Sequence, residues 1–277
     1  IEELRNKYPL HRYERAAPLM RELRAVKSEI EVQLTQQACD ITNKAFKRVL
    51  HFVKPNVMEY EIEAEIIHEF IKNRATGHGY TPIIASGNNA NILHYNDNNQ
   101  KCNDGDLILM DFGAEYANYN ADLTRTIPVN GRFTPRQKEV YNAVLNVLNE
   151  AKKLMVAGAI WNTYHEQVGE IMTEELIKLK LISAADVKNQ NPSYPAYKKY
   201  FMHGTSHHLG IDVHDLASRY APFAAGNILT CEPGIYIPQE GFGIRLENDI
   251  LITEEGNIDL MSQTPIDVEE IEDIMNA

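Results

Sequence analysis

Apolar positions recur at helical spacing in four stretches of the chain. From Ser28 onward, Ile30, Leu34, Ala38, Ile41, Ala45, Val49 and Phe52 fall on one face, the period of an amphipathic helix. Ser28 with Glu31 forms a capping-box pair at its start, and Pro55 stops it. A second helix is predicted over 59–74, with Ile62, Ile66 and Phe70 facing inward, ended by Gly77 and Gly79. The third carries the clearest punctuation: Thr134 as N-cap, Pro135 at N1, Gln137 at N3, then Val140, Val144, Val147, Leu148 and Ala151, with Gly158 beyond the end. A fourth is predicted over 163–181, and a short acidic helix over 268–275.

Elsewhere the texture is that of strands and turns. Residues 80–128 and 203–260 alternate short apolar runs with Gly and Asn clusters. The stretches 106–112 and 121–127 read as strands, and the segment between them is short enough for a hairpin. Residues 182–200 read as a polar loop. Residues 1–27 are charged and irregular, with Arg12, Arg15, Arg21 and Arg24 scattered through them. They read as a linker or the remnant of an upstream domain, leaving 28–277 as one domain. The order helices, strands, helices, strands, helix predicts an α+β fold of two similar halves with internal pseudo-symmetry.

Composition narrows the function. The 277 residues include 27 Lys plus Arg against 39 Asp plus Glu, a formal charge of −12, which argues against nucleic acid as a partner. No run approaches the roughly 18 apolar residues that a membrane span needs, and no signal peptide is visible after Ile1. Three distant cysteines, Cys39, Cys102 and Cys231, suit neither a disulfide framework nor a thiolate zinc site. A reducing compartment, the cytoplasm, is expected. A homodimer stays open, since no apolar face that would argue it can be located.

Four acids stand in apolar, strand-like surroundings: Asp111 after Leu107–Met110, Asp122 in the second predicted strand, Glu232 before Pro233-Gly234, and Glu247 after Gly243–Leu246. Any one alone is explained by a backbone N–H or an Arg. Four together need a shared cause, because carboxylates are seldom buried unless paired or bound to metal. The segment 203–215 adds His203, His207 and His214. Although His203 and His207 are spaced i, i+4, Gly204 stands where a helical zinc motif has Glu, so an extended or looped segment is expected. His208 reads as a neighbour turned the other way, Cys231 as core, and Gly241–Gly243 as a hairpin turn.

With these residues in place, the chain resembles the catalytic domain of the pita-bread metallopeptidases, and within them the Xaa-Pro aminopeptidase (aminopeptidase P) branch. The resemblance rests on Asp111 and Asp122 ten residues apart, His207 within 203–215, Glu232 in 230–236 and Glu247 in 244–250, and covers about 27–275. It implies a pita-bread fold with two helix-plus-antiparallel-sheet halves around a dimetal cleft. It implies two divalent metals sharing a hydroxide, with Asp122 and Glu247 bridging, Asp111 on one metal, and His207 and Glu232 on the other. Oxygen-rich donors with one imidazole suit manganese first, with cobalt, iron or zinc also compatible. Glu232 is then also the proton shuttle, His214 steadies the oxyanion, His203 meets the proline side, His94 lines the cleft, and Arg245, with Tyr236 near it, orients substrate or carboxylates. The expected substrate is a peptide with proline at the second position. A prolidase is the nearest alternative. A methionine aminopeptidase lacks the 203–215 pattern, and a creatinase-type hydrolase works without metals. From another class, a non-catalytic pita-bread module would bind peptide or protein.

Overall fold

The computed structural model describes residues 1–277. Its helices and strands follow the predicted order. Two short helices, α1 (Glu2–Lys7) and α2 (Ala17–Ala25), precede a long helical hairpin, α3 (Glu29–Phe52) and α4 (Glu59–Lys72). Then come β1 (Gly77–His78), β2 (Ile83–Ser86), β3 (Leu107–Phe112), β4 (Ala114–Tyr116), β5 (Tyr119–Asn120) and β6 (Leu123–Pro128). A second helical hairpin follows, α5 (Pro135–Leu154) and α6 (Trp161–Lys178), with α7 (Ala184–Lys188) after it. The chain closes with β7 (Ile228–Cys231), β8 (Gly234–Ile237), β9 (Phe242–Arg245), β10 (Asn248–Ile252), β11 (Asn257–Asp259) and α8 (Val268–Met275).

Each half is a helical hairpin followed by an antiparallel three-stranded sheet: β2-β3-β6 in the first and β7-β10-β11 in the second. The halves meet where β6 runs beside the β9–β10 connection. There Glu247 N–H donates to the Thr124 carbonyl at 3.1 Å, and the Thr126 hydroxyl bonds the Arg245 backbone. The 58 residues of the main apolar cluster are drawn from both halves, so they share one core. Arg125, fully buried at the junction, ties them further. Its guanidinium donates to the carbonyls of Pro265 (2.9 Å) and Glu247 (2.7 Å) and to Asn248 Oδ1 (2.7 Å).

The predicted caps form. Glu31 reaches back to Ser28 N at 2.8 Å, and at α5 Thr134 and Gln137 bond reciprocally. Several expectations are corrected. Segment 1–27 holds α1 and α2, which bury none of their own residues; the apolar side of α2, with Leu19, Met20 and Leu23, stays exposed. The loop 182–200 contains α7 and a 3-10 turn at Ala196–Lys199. Helix α4 ends at Lys72, ahead of Gly77. The expected hairpin does form, since β3 pairs antiparallel with β6, and its connection carries a second small hairpin, β4–β5. Its crossing is tight: a Cβ on Gly113 would lie 1.7 Å from the Ala121 carbonyl oxygen, so only glycine fits. No helix is long and apolar enough to cross a membrane.

Candidate metal centre

The four sheet-associated acids arrive in one place because each sits at a strand end facing the junction of the halves. Asp111 is near the end of β3, Asp122 directly precedes β6, Glu232 follows β7, and Glu247 lies between β9 and β10. His207 comes from the irregular segment 201–216, as expected for a non-helical histidine run. Donor atoms of Asp122, His207 and Glu247 lie within 4.8 Å of one another. Asp111 joins through the Tyr80 hydroxyl, which lies 2.6 Å from Asp111 Oδ1 and 2.5 Å from Asp122 Oδ1 and shares its proton between them. Glu232 Oε1 is 3.9 Å from His207 Nε2. The four acids and one histidine expected as ligands are therefore brought together, and all five line one cleft of about 710 Å³.

Orientation comes from the strands. His207 N–H donates to Thr230 Oγ1 at 3.1 Å and Glu232 N–H to the Thr205 carbonyl at 2.8 Å, which pins both residues to β7. The Thr124 hydroxyl donates to Glu247 Oε2 at 2.6 Å and accepts from Arg245 Nε at 3.1 Å. His207 Nδ1 faces the His208 carbonyl at 3.1 Å, which directs Nε2 into the ligand cluster, 3.3 Å from Asp122 Oδ2. That is the arrangement of a metal-ligating imidazole, with its second nitrogen fixed by a carbonyl.

The electrostatics point the same way. Burial pushes Asp111 up against the pull of Arg245, and pushes Glu232 up to about 7 against His207 and Arg245. Glu247 is pushed well above the usual carboxylate range by burial and by Asp122. His207 loses by burial but is carried up to about 9 by Asp122 and Glu232. Four carboxylates thus crowd together with Arg245 as the one guanidinium bonded to them, through Asp111 Oδ2 at 2.5 Å. Divalent cations relieve this crowding. The donors are hard oxygens plus one imidazole, and the nearest cysteine in sequence, Cys231, is buried core beside Tyr164 with its thiol pushed up to about 12. The residues fit a pair of oxygen-preferring divalent ions.

The surrounding residues also converge. Arg245 Nη1 donates to the Tyr236 hydroxyl at 2.9 Å. That hydroxyl in turn lies 2.8 Å from His203 Nε2, while His203 Nδ1 is 2.8 Å from the Gly204 carbonyl. The chain of donors runs from Arg245 through Tyr236 to a neutral His203, whose pKa burial and Arg245 lower to about 3. His214 stacks edge-on against His207, with ring centroids 4.2 Å apart. His94 lines the cleft from an exposed loop. That loop is fastened by buried Glu59, which accepts from Ser86 N and Oγ, Asn89 Nδ2, Tyr95 OH and Gln100 N. His208 turns from His207 to stack on Trp161.

Sequence reasoning missed Tyr80, Thr124, Glu59 and Asp249. Asp249 is fully buried and accepts the Asp122 N–H (3.0 Å) and the Cys39 thiol (3.4 Å). It follows Glu247 by two residues in an apolar run, a signal that was there to read.

Comparison with known proteins agrees with this geometry. A profile described as metallopeptidase family M24 matches residues 33–254. Xaa-Pro aminopeptidase of Haemophilus influenzae is 40% identical over 271 residues, covering 94% of this chain and 63% of that protein. Xaa-Pro aminopeptidase of Escherichia coli is also 40% identical, covering 94% and 61%. The structure of E. coli aminopeptidase P with the inhibitor Pro-Leu superposes with a TM-score of 0.89 at 39% identity, over 94% of this chain and 62% of that one. The chain thus spans a little over three fifths of the length of these relatives. With a pita-bread fold, and a profile that covers most of its length, the chain belongs to metallopeptidase family M24.

Proposed function

We propose that this chain is the catalytic part of a metal-dependent exopeptidase that cleaves the bond between an N-terminal residue and a following proline. The observation that carries the reading is the convergence of Asp111, Asp122, His207, Glu232 and Glu247 in one cleft ringed by His94, His203 and His214. The relatives named Xaa-Pro aminopeptidase support the bond specificity. We assign the catalytic unit to residues 28–277, with 1–27 leading into it. The free cysteines suit a reducing compartment such as the cytoplasm.

Asp122 and Glu247, at the centre of the cluster, would bridge two divalent cations, with Asp111 on one side and His207 with Glu232 on the other. Manganese is the first expectation for both. Such ions would supply an activated water and a Lewis acid for the scissile carbonyl. This matters for proline, because its amide nitrogen has no hydrogen for an extended-strand peptidase to grip. Glu232, 3.9 Å from His207 and 3.7 Å from His203, would take a proton from water and pass it to the departing proline nitrogen. His214 donates toward the developing oxyanion. His203 has both ring nitrogens engaged, so it offers the proline side a ring face rather than a proton. Arg245 holds Asp111 and, through Tyr236, His203. His94 closes the opposite wall.

The test compares Ala-Pro-Ala with Ala-Pro, in Mn(II) and again after chelation. Tripeptide cleavage lost on chelation is expected. Cleavage of the dipeptide alone makes the site a prolidase. Metal-independent peptide binding without cleavage of either substrate makes it a binding module.

A further inference from the structure

The residue after His214 is tied to the start of the chain. Asp215 is held by Lys27 Nζ at 3.2 Å on Oδ2 and by Arg24 Nη2 on Oδ1. Only 1% of either the Lys27 or the Asp215 side chain is exposed. Arg24 Nη2 also donates to Asp212 Oδ2 at 2.8 Å, and Lys27 Nζ to the Arg24 carbonyl at 2.8 Å. The two cations therefore form one clamp on two acids of the histidine loop. The clamp is itself anchored: Lys27 N–H donates to the Gly226 carbonyl at 2.7 Å, and Asn227 Nδ2 to the Ala25 carbonyl at 2.9 Å.

The loop side is equally committed. Asp215 Oδ1 accepts Leu216 N–H at 2.8 Å, and Asp215 N–H donates to the His208 carbonyl at 2.8 Å. A Cβ on Gly210 would meet Asp215 Oδ2 at 2.2 Å and Lys27 Cε at 3.0 Å, so the glycine makes room for this ion pair. Asn120 holds the Gly210 and Ile211 carbonyls from the other side. Between these fastenings His214 projects into the cleft against His207. A buried pair of this kind is weak evidence for stability but strong for position, since breaking one partner strands a charge.

We propose that Arg24 and Lys27 are positioning residues: from the segment before α3 they clamp Asp215 and so fix loop 208–216 and the place of His214 beside the metal ligands. The effect on rate rests on the oxyanion role given to His214 above. A displacement of about 1 Å in a catalytic group costs on the order of 100-fold.

The test uses the 277-residue chain with Mn(II) and compares Lys27→Met, Arg24→Met, His214→Ala and the two doubles. Each single clamp variant should lower kcat for Ala-Pro-Ala about 10- to 100-fold while KM shifts little. Mn(II) affinity, followed by the fluorescence of Trp161 in the cleft wall, should hold. In the His214→Ala background either clamp substitution should add less than about twofold, because both act through one group. Amide exchange in 208–216 should rise in Arg24→Met, a change at the less buried of the two cations (16% of the Arg24 side chain is exposed) that keeps the test open if Lys27→Met folds poorly. Full kcat in both clamp variants, or an undiminished penalty in the His214→Ala background, overturns the inference. If His214→Ala is itself silent, the role of His214 falls, and unchanged exchange protection in both variants then overturns the clamp separately.

Discussion

Glu232 stands where a proton can change hands. Its carboxyl lies 3.7 Å from His203 Nδ1 and 3.9 Å from His207 Nε2, within reach of the cleft that would hold substrate. Glu232→Gln, assayed at saturating Mn(II), should lower kcat by about 100-fold or more while KM moves far less; an unchanged kcat removes Glu232 from proton transfer. Asp249 makes a subtler case. Burial and Asp122 push its carboxyl well above the usual range, and what it gives Asp122 is an oxygen that accepts the backbone N–H, a part an amide oxygen can also play. Asp249→Asn should therefore leave metal affinity nearly intact, whereas Asp249→Ala orphans that N–H and should weaken Mn(II) binding about 10- to 100-fold. Equal losses in the two, read by metal titration, would contradict the role of that oxygen as acceptor for Asp122. The strand-end acids were legible because a carboxylate in an apolar run is anomalous on sight. Tyr80 and Thr124 were not, because their part is set by which carboxylates fold beside their hydroxyls, and nothing local to them in the chain encodes that.

Among the elements, legibility followed the caps. Helix α5 starts at Pro135 as predicted because Thr134 and Gln137 announce it. Helix α6 begins at Trp161, ahead of the predicted 163, behind an Ile160 that offers no capping side chain. Helices α1 and α2 escaped because each is short, and the apolar side of α2 is interrupted by scattered arginines that read as an irregular segment. The pairing of the halves was hinted at by the repeated order of elements, but its fastening was not: Arg125 reads as one charged residue in a strand until β10 is laid against it. Arg125→Met leaves the carbonyls of Pro265 and Glu247 and the Asn248 side chain without their donors. At about 1–3 kcal/mol for each buried group stranded, Tm should fall by several degrees, and Glu247 with it loses the tether at its carbonyl. A Tm within a degree of the parent in calorimetry would show that the junction does not depend on this guanidinium.

Across the whole molecule the cleft couples stability to pH and metal. In the metal-free chain Glu232 titrates near 7 rather than 4.5, so its ionisation is increasingly costly to the fold as pH rises from about 4.5 to 7. His207, raised from 6.5 to about 9, stabilises the fold below 6.5 and loses that contribution toward 9. These two push the same way, while His203, lowered to about 3, opposes them below 6.5, so the weakening of the metal-free fold is carried by His207 as pH rises from 6.5 toward 9. Divalent ions need the carboxylate and the neutral imidazole, so binding releases protons and tightens with pH. The rise in Tm on adding Mn(II) should be larger at pH 8 than at pH 5.5, and a rise that shrinks with pH contradicts this electrostatic picture. The central claim, that five side chains from two half-domains hold a two-ion hydrolytic centre for Xaa-Pro bonds, is tested most directly by alanine release from Ala-Pro-Ala as Mn(II) is titrated into chelator-treated protein. The account predicts no release without metal and a rate that climbs to a plateau at two bound ions per chain; cleavage that survives chelation, or two bound ions with no alanine released, would contradict it.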